Sequence, residues 1–358
     1  MRKQLAWTVA ILVVFGLVIL SSAGIVDAQK KFGSSYYYFY HQLLYGILPG
    51  IMLAYLISKI KYDVWRKLSL PILFGALVLM ALVFMPGLGY GAKGAVRWVN
   101  IGGFVFQPAE ILKLSLIIYF AAWFGSRHER LKSWVYGAAP FFILLGFVTL
   151  LLTKQPDIGT LIVVGLIAIG MYFVAGVSWK QLGGIALIGI ISMALLIRFE
   201  PYRWDRFKAF VNPNQDVRGI AYQVNQAKIA IGAGGLFGVG FGRSTQKLGS
   251  FLPEPVGDSI FAIIGEELGF VGAMATVALF VWLCFLLTQI AVRTRDPFGR
   301  LFVSGMNIWI MAQAFVNIAA ISGLVPLTGI PLPFISYGGT AEIALLVGLG
   351  IVYNIAPA

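Results

Sequence analysis

Glu110 and Lys113 stand three residues apart in an otherwise apolar run, so on a helix they share a face and can pair, and Arg97, in the preceding loop, could join them. Ionisable groups in such a setting are costly and tend to be functional, and a buried ion pair that fixes helix packing leaves the same signature. Glu266 and Glu267 are adjacent in a second apolar run. Neighbouring side chains on a helix point about 100° apart, so at least one must face protein or a wet cavity. Two aspartates immediately precede apolar runs: Asp157, within Lys154-Gln-Pro-Asp157-Ile-Gly-Thr160, and Asp258, before Ser259. Each reads as a helix N-cap, and each is also a carboxylate able to take a proton. His41 and His128 are far apart in sequence, so neither a Ser/His/Asp triad nor a Cys/His metal cluster is credible. Acid–base work falls to carboxylates. The single cysteine, Cys284, sits in an apolar run and excludes an intrachain disulfide.

The elements that must carry these groups are membrane spans. Of 358 residues, 59% are hydrophobic and 11% charged, against roughly 25% charged in soluble domains. Ten apolar runs qualify as spans, near 6–26, 38–58, 69–86, 108–125, 136–152, 158–177, 182–198, 259–292, 301–321 and 336–356. The first is too long for a signal peptide and is followed by others, so it reads as a retained helix. The eighth exceeds one perpendicular crossing and should tilt or begin above the membrane. The fold class is therefore an all-α polytopic membrane protein, one integral membrane domain over residues 1–358.

Lys and Arg set the orientation. One side carries Arg2, Lys3, Lys59, Lys61, Arg66, Lys67, Arg127, Arg130, Lys132, Lys180, Arg293, Arg295 and Arg300. Short loops on the other carry only Lys30, Lys31, Lys93, Arg97 and Lys154. Both termini are expected in the cytoplasm. This topology accounts for much of the net charge of +13, which in a soluble chain would suggest nucleic acid.

Residues 199–257 form the one large loop, expected outside the cell. Its Arg203, Arg206, Lys208, Arg218, Lys228, Arg243 and Lys247 outweigh Glu200, Asp205, Asp216 and Glu254. That excess calls for an anionic partner, either lipid phosphate or a phosphorylated lipid substrate. Within the loop, 220–231 reads as a helix able to lie on the interface, with Tyr222, Gln223, Gln226 and Lys228 as its polar groups. The glycine-rich stretch 232–242 lacks the Gly-Lys-Ser/Thr of a P-loop and suits tight re-entrant backbone beside a lipid headgroup. The prolines and glycines of 322–339 cannot continue a helix, so this apolar backbone must pack in protein or line a cavity.

Several motifs in one order resemble the SEDS family of FtsW and RodA. They are Arg97-Trp98 with Phe106-Gln107-Pro-Ala-Glu110, Gln155-Pro-Asp-Ile-Gly-Thr160, Phe210-Val-Asn-Pro213, Tyr222-Gln223, Phe251-Leu-Pro-Glu-Pro-Val-Gly-Asp-Ser-Ile-Phe-Ala-Ile-Ile-Gly-Glu-Glu-Leu-Gly269, and Pro331-Leu-Pro-Phe-Ile-Ser336-Tyr-Gly-Gly339. Gly240-Phe-Gly-Arg-Ser-Thr-Gln-Lys247 looks more like FtsW than RodA.

The resemblance implies an inverting peptidoglycan glycosyltransferase that polymerises lipid II at the outer face of the bacterial plasma membrane. It implies a class B penicillin-binding protein and other divisome or elongasome proteins as partners, and no nucleic acid. By the family pattern Asp258 is the essential carboxylate, a general base for the attacking sugar hydroxyl. Arg97, Lys113, Lys154, Arg218, Arg243 and Lys247 are candidates to stabilise the leaving pyrophosphate. Gln107, Glu110, Asp157, Tyr222, Gln226 and Ser336 complete the expected substrate-binding set. A divalent cation, Mg or Mn, is the one cofactor that could assist, although no dedicated ligand set is visible. Many family members carry His-Thr before this aspartate and an aromatic after it, where this chain has Val256-Gly257 and Ser259. A flippase for the lipid-linked precursor and a non-catalytic division scaffold are the alternatives.

Overall fold

A computed structural model describes residues 1–92, 95–126, 131, 133–212, 220–249 and 251–357. Arg218, Asp216, His128, Lys93, Arg127, Arg130 and Lys132 lie outside the described residues. Each apolar run coincides with a helix: α1 (Arg2–Ala23), α2 (Tyr37–Ser58), α3 (Ser69–Leu82), α4 (Pro108–Ser126), α5 (Ala139–Lys154), α6 (Ile158–Val174) and α7 (Trp179–Phe199) in the first part. Next come α8 (Pro201–Val211), α9 (Ile220–Ala233) and the single turn α10 (Thr245–Leu248) of the long loop. The chain closes with α11 (Ile260–Arg293), α12 (Pro297–Ile321) and α13 (Gly339–Ile355). Among the described residues, α1, α2, α4, α7, α11 and α12 are long and apolar enough to cross a bilayer, and α3, α5, α6 and α13 are shorter apolar helices. Large apolar side chains such as Trp7, Phe74, Ile143, Trp179 and Val292 point outward along these helices. Only a hydrocarbon solvent makes that arrangement favourable. This is a multi-pass membrane protein.

Helices α4, α11, α12 and α13 form the centre. α12 packs against α4, α6 and α11, and α13 lies along α2. Arg2 donates to the carbonyls of Asn354 and Ala356, so the two ends of the chain share one end of the bundle. Arg293, at the end of α11, meets Met1 there. Residue 258, at the start of α11, is therefore at the opposite end.

A small antiparallel sheet between α3 and α4 is not visible in the hydropathy pattern. It consists of β1 (Gly89–Ala92), β2 (Ala95–Ile101) and β3 (Phe104–Phe106). The two-residue turn Gly102-Gly103 has φ of 60° and 91°, which glycine adopts without strain and which matches the twist of the flanking strands.

The eighth run is interrupted along its length. α11 breaks at Gly269, where φ is 68° and ψ is −166°, a region open to glycine alone. The break frees backbone groups that a bilayer cannot solvate, and the glycine-rich stretch takes them up. Val239 and Gly240 donate to the carbonyls of Glu266 and Glu267 at 2.9 and 3.1 Å. Phe270 and Val271 donate in turn to Gly235 and Leu236 at 2.9 and 3.1 Å. A Cβ on Gly234 would overlap the Gly265 carbonyl, and one on Gly238 the Glu267 carbonyl. Close approach of two backbones is what Gly234 and Gly238 permit.

The same junction consumes both glutamates. Glu266 accepts from the backbone N–H of Thr245 at 2.7 Å and its hydroxyl at 2.8 Å, and from Ser244. Glu267 pairs with Lys247 and accepts from Ser22 of α1 at 2.7 Å. Lys247 is 3% exposed. Its expected contact with pyrophosphate is thus replaced by a buried ion pair that ties the loop to α11 and α1.

Two outcomes test this junction. Replacing Gly238, at φ 82°, by valine should lower the melting temperature of the protein in detergent, by strain on the order of 1–3 kcal/mol plus the steric overlap. Lys247→Met should cost about 3–5 kcal/mol, because Glu267 is left buried without its counter-charge. Lys247→Met combined with Glu267→Leu should recover most of that loss in the same thermal-shift assay.

Candidate active site

Three backbone carbonyls hold Asp258 in place. Tyr337 N–H donates to Val256 O at 2.8 Å, Ser336 Oγ to Gly257 O at 2.7 Å, and Asn317 Nδ2 to Asp258 O at 2.8 Å. Ser336 Oγ also accepts from Leu332 N–H at 2.8 Å. Ser336 therefore braces the catalytic candidate from beneath, its oxygen engaged on both sides. Asn317 also donates to Ile330 O at 2.7 Å, fastening residues 258 and 330 to one point on α12.

The carboxylate is not a cap. Ser259 is the N-cap residue of α11, and no side chain caps that end. The capping expectation for Asp258 is thus corrected, and its oxygens are left for other partners. Gln223 Nε2, from α9, donates to Asp258 Oδ1 and to Ser259 Oγ, both at 3.0 Å. Asp258 Oδ2 and Arg206 Nη1 both lie beside Gly329, 3.8 and 3.9 Å from where a Cβ would stand, and the Arg206 charge acts on the Asp258 carboxyl. Arg206 Nη1 donates to Leu327 O at 3.0 Å. Asp258 is half-buried, and burial pushes its pKa up from 3.8 to about 6. The Glu254 charge pushes the same way, and Arg206 and Gln223 hold it back. A carboxyl in that range is a stronger base than an ordinary aspartate, and it is ionised at neutral pH.

A second group of predicted residues lies across the 328–330 segment. Asp157 does cap α6, accepting from Thr160 N–H at 3.1 Å and its hydroxyl at 2.8 Å. Gln107 Nε2 reaches Asp157 at 3.5 Å. Gly159, the second residue of α6, is in close contact with Thr328 O and Ile330. Arg97, from β2, donates to the carbonyls of Gln155 and Pro156 and does not join Glu110 and Lys113 as expected. Lys113 pairs with Glu110 at 2.8 Å, and both are almost fully buried. Lys113 also donates to Gln313 at 2.8 Å and lies 5.0 Å over the Trp309 ring. Gln313 passes the connection on, donating to Pro331 O at 3.1 Å.

The remaining candidates are dispersed. Lys154 and Arg243 are exposed, and Tyr222 and Gln226 are half-buried on α9. Among the described residues, no three His, Cys, Asp or Glu side chains converge as metal ligands would. Sequence reasoning passed over Arg206, Gln313 and Asn317 as site residues, and named Gln223 as a polar group of its helix and within a motif, not as a partner of Asp258. Gln313 and Asn317 carried a signal, since polar residues four apart in a span share a face and need partners. Arg206 carried none beyond its charge. Beside Asp258, the loop and α9 open a narrow pocket lined by Arg206, Ala221, Asn225, Lys228 and Leu327.

The chain is similar to known proteins along nearly its whole length. The curated relatives include a probable peptidoglycan glycosyltransferase FtsW of Geobacter metallireducens, 38% identical over 342 residues, covering 96% of this chain and 91% of that one. Stage V sporulation protein E of Bacillus subtilis is 35% identical, with coverage of 97% and 94%. Among solved structures, a chain of a peptidoglycan synthase complex that coordinates polymerization and crosslinking superposes with a TM-score of 0.81 at 29% identity, covering 99% of this chain and 96% of that one. The rod shape determining protein RodA of Thermus thermophilus superposes with a TM-score of 0.72, also at 29% identity, with coverage of 98% and 95%. The FtsW/RodA/SpoVE family of cell cycle proteins matches residues 3–358, and with that span the chain belongs to this family.

Proposed function

We propose that this chain is a peptidoglycan glycosyltransferase that polymerises lipid II, with Asp258 as general base. The observation that carries the reading is the Asp258 carboxyl itself. It is half-exposed at a bundle end, its pKa is raised to about 6, and a guanidinium lies beside it. The sugar 4-hydroxyl attacks the anomeric carbon of the donor from the face opposite the leaving group, so the centre inverts. Asp258 accepts the hydroxyl proton as the new C–O bond forms. The old C–O bond breaks with its electron pair on undecaprenyl pyrophosphate, and nearby cations offset the growing negative charge. A divalent cation such as Mg or Mn would supply further charge to the pyrophosphate oxygens.

Topology supports an outward-facing site. The bundle end that holds both termini is the one rich in Lys and Arg, which the positive-inside rule assigns to the cytoplasm. Asp258 then faces outward at the plasma membrane, where lipid II is consumed. The similarity to a chain in a synthase complex that also crosslinks supports a class B penicillin-binding protein as partner, alongside other divisome or elongasome proteins. The likeness to FtsW relatives favours division over elongation.

Asp258→Asn keeps size and hydrogen bonding but cannot take the proton. With purified lipid II and the partner present, polymerisation should fall by about 10²–10⁴-fold while the variant stays folded. A flippase or a scaffold predicts no such loss, and full polymerisation by Asp258→Asn contradicts the base assignment. The pH–rate profile gives an independent check. Below pH 6 the base is protonated, so the rate should fall with an acid limb near 6. Gln223→Leu removes a donor that stabilises the ionised form, so that limb should move to higher pH.

A further inference from the structure

We propose that the pocket beside Asp258 takes the phosphate head of a polyprenyl-linked donor between Arg206 and Lys228, and that the apolar groove leading from it between α6 and α12 takes the prenyl chain. This subsite rests on the glycosyltransferase reading above and gives it a donor orientation. Neither cation stood among the residues expected to hold pyrophosphate.

The geometry gives the two ends different chemistry. Arg206, Asn225 and Lys228 line the polar end. Arg206 Nη1 and Asp258 Oδ2 both lie beside Gly329, and the Arg206 charge acts on the Asp258 carboxyl. A phosphate on Arg206 therefore sits next to the base, as the leaving group of a sugar held beside Asp258 must. Lys228, exposed on α9, lies over Gly323, whose φ of 73° and missing Cβ leave the room for it. A Cβ there would overlap the Lys228 ammonium. The pocket is narrow, about 30 Å³, so an entering phosphate moves the flexible Lys228 side chain outward and keeps it as a partner. Arginine supplies a fixed fork and lysine a mobile point charge, a combination suited to a group that arrives and departs.

Val325 lines this pocket and also the groove beyond it. The groove has a volume of about 500 Å³ and is walled by Leu166, Ile308, Met311, Phe315 and Ala319, all apolar. Cations at one end and continuous apolar walls at the other match an amphiphile with an anionic head and a hydrocarbon tail. In the reaction, the C1–oxygen bond of the donor breaks with its electron pair on the pyrophosphate held by Arg206 and Lys228. The acceptor oxygen forms the new bond to C1, and its proton goes to Asp258.

The test is binding of undecaprenyl pyrophosphate to the full chain in phosphatidylcholine nanodiscs, with phosphatidylglycerol as competitor. Lys228→Gln should weaken binding about tenfold, the loss of one charge-assisted contact, and Lys228→Arg should restore most of it. Ala319→Trp, which fills the groove, should weaken it to a similar degree. An unchanged melting temperature shows that each variant is folded. Wild-type binding in both Lys228→Gln and Ala319→Trp overturns the subsite. Displacement by phosphatidylglycerol at matching concentration also overturns it, since the groove then holds bulk lipid only. Binding does not require the base. A polymerising Asp258→Asn would remove the base assignment and leave the subsite standing, whereas unaltered binding in the variants would remove the subsite alone.

Discussion

Hydrocarbon offers no partner to a free peptide group, and the break in α11 at Gly269 makes this constraint decisive for the rest of the molecule. The freed carbonyls and N–H groups are paired with residues 235–240, and glycines make that approach possible. Because α9 runs directly into this stretch, fixing the stretch fixes α9 along α11. Gln223 on α9 then reaches Asp258 at the top of the same helix. A backbone requirement in the membrane is thereby converted into the position of a side chain at its edge.

The charges divide by depth. Inside the bundle two buried ion pairs form, Glu110 with Lys113 and Glu267 with Lys247. Removing one member of such a pair is expensive, so these groups fix helix positions. At the end of the bundle, Arg206 and Lys228 line a pocket, and Arg206 and Asp258 both lie beside Gly329. There burial is partial, the aspartate keeps a raised pKa, and a mobile lysine can change partners. In the proposed reading chemistry falls to the second set and architecture to the first, and α12 joins them through Gln313 and Asn317.

Much of this was legible in the sequence. The apolar runs mark the helices because a bilayer leaves few alternatives, and the Asp157 cap follows from its place before Ile158 and Thr160. Asp258 stood out through the resemblance rather than through spacing, which favoured a cap, whereas the N-cap position falls to Ser259 and no side chain caps that end. Three features were not legible. The break at Gly269 needs a tertiary partner to form, and local pattern carries no sign of it. The destination of Lys247 depends on α1 and α11 meeting, contacts hundreds of residues apart in the chain. Arg97 pairs with carbonyls instead of Glu110, because β2 places it against the α5–α6 turn. Long-range geometry selects among basic residues that look equivalent by type.

The central claim is that position 258 carries a carboxyl whose surroundings keep it an effective base at the membrane edge. Infrared titration of the protein with ¹³C-labelled aspartate, taken as the difference between the native chain and its Asp258→Asn variant in nanodiscs, addresses that group alone. The account predicts a carboxylate band that titrates with a midpoint near 6. A midpoint at or below the ordinary 3.8 would contradict it.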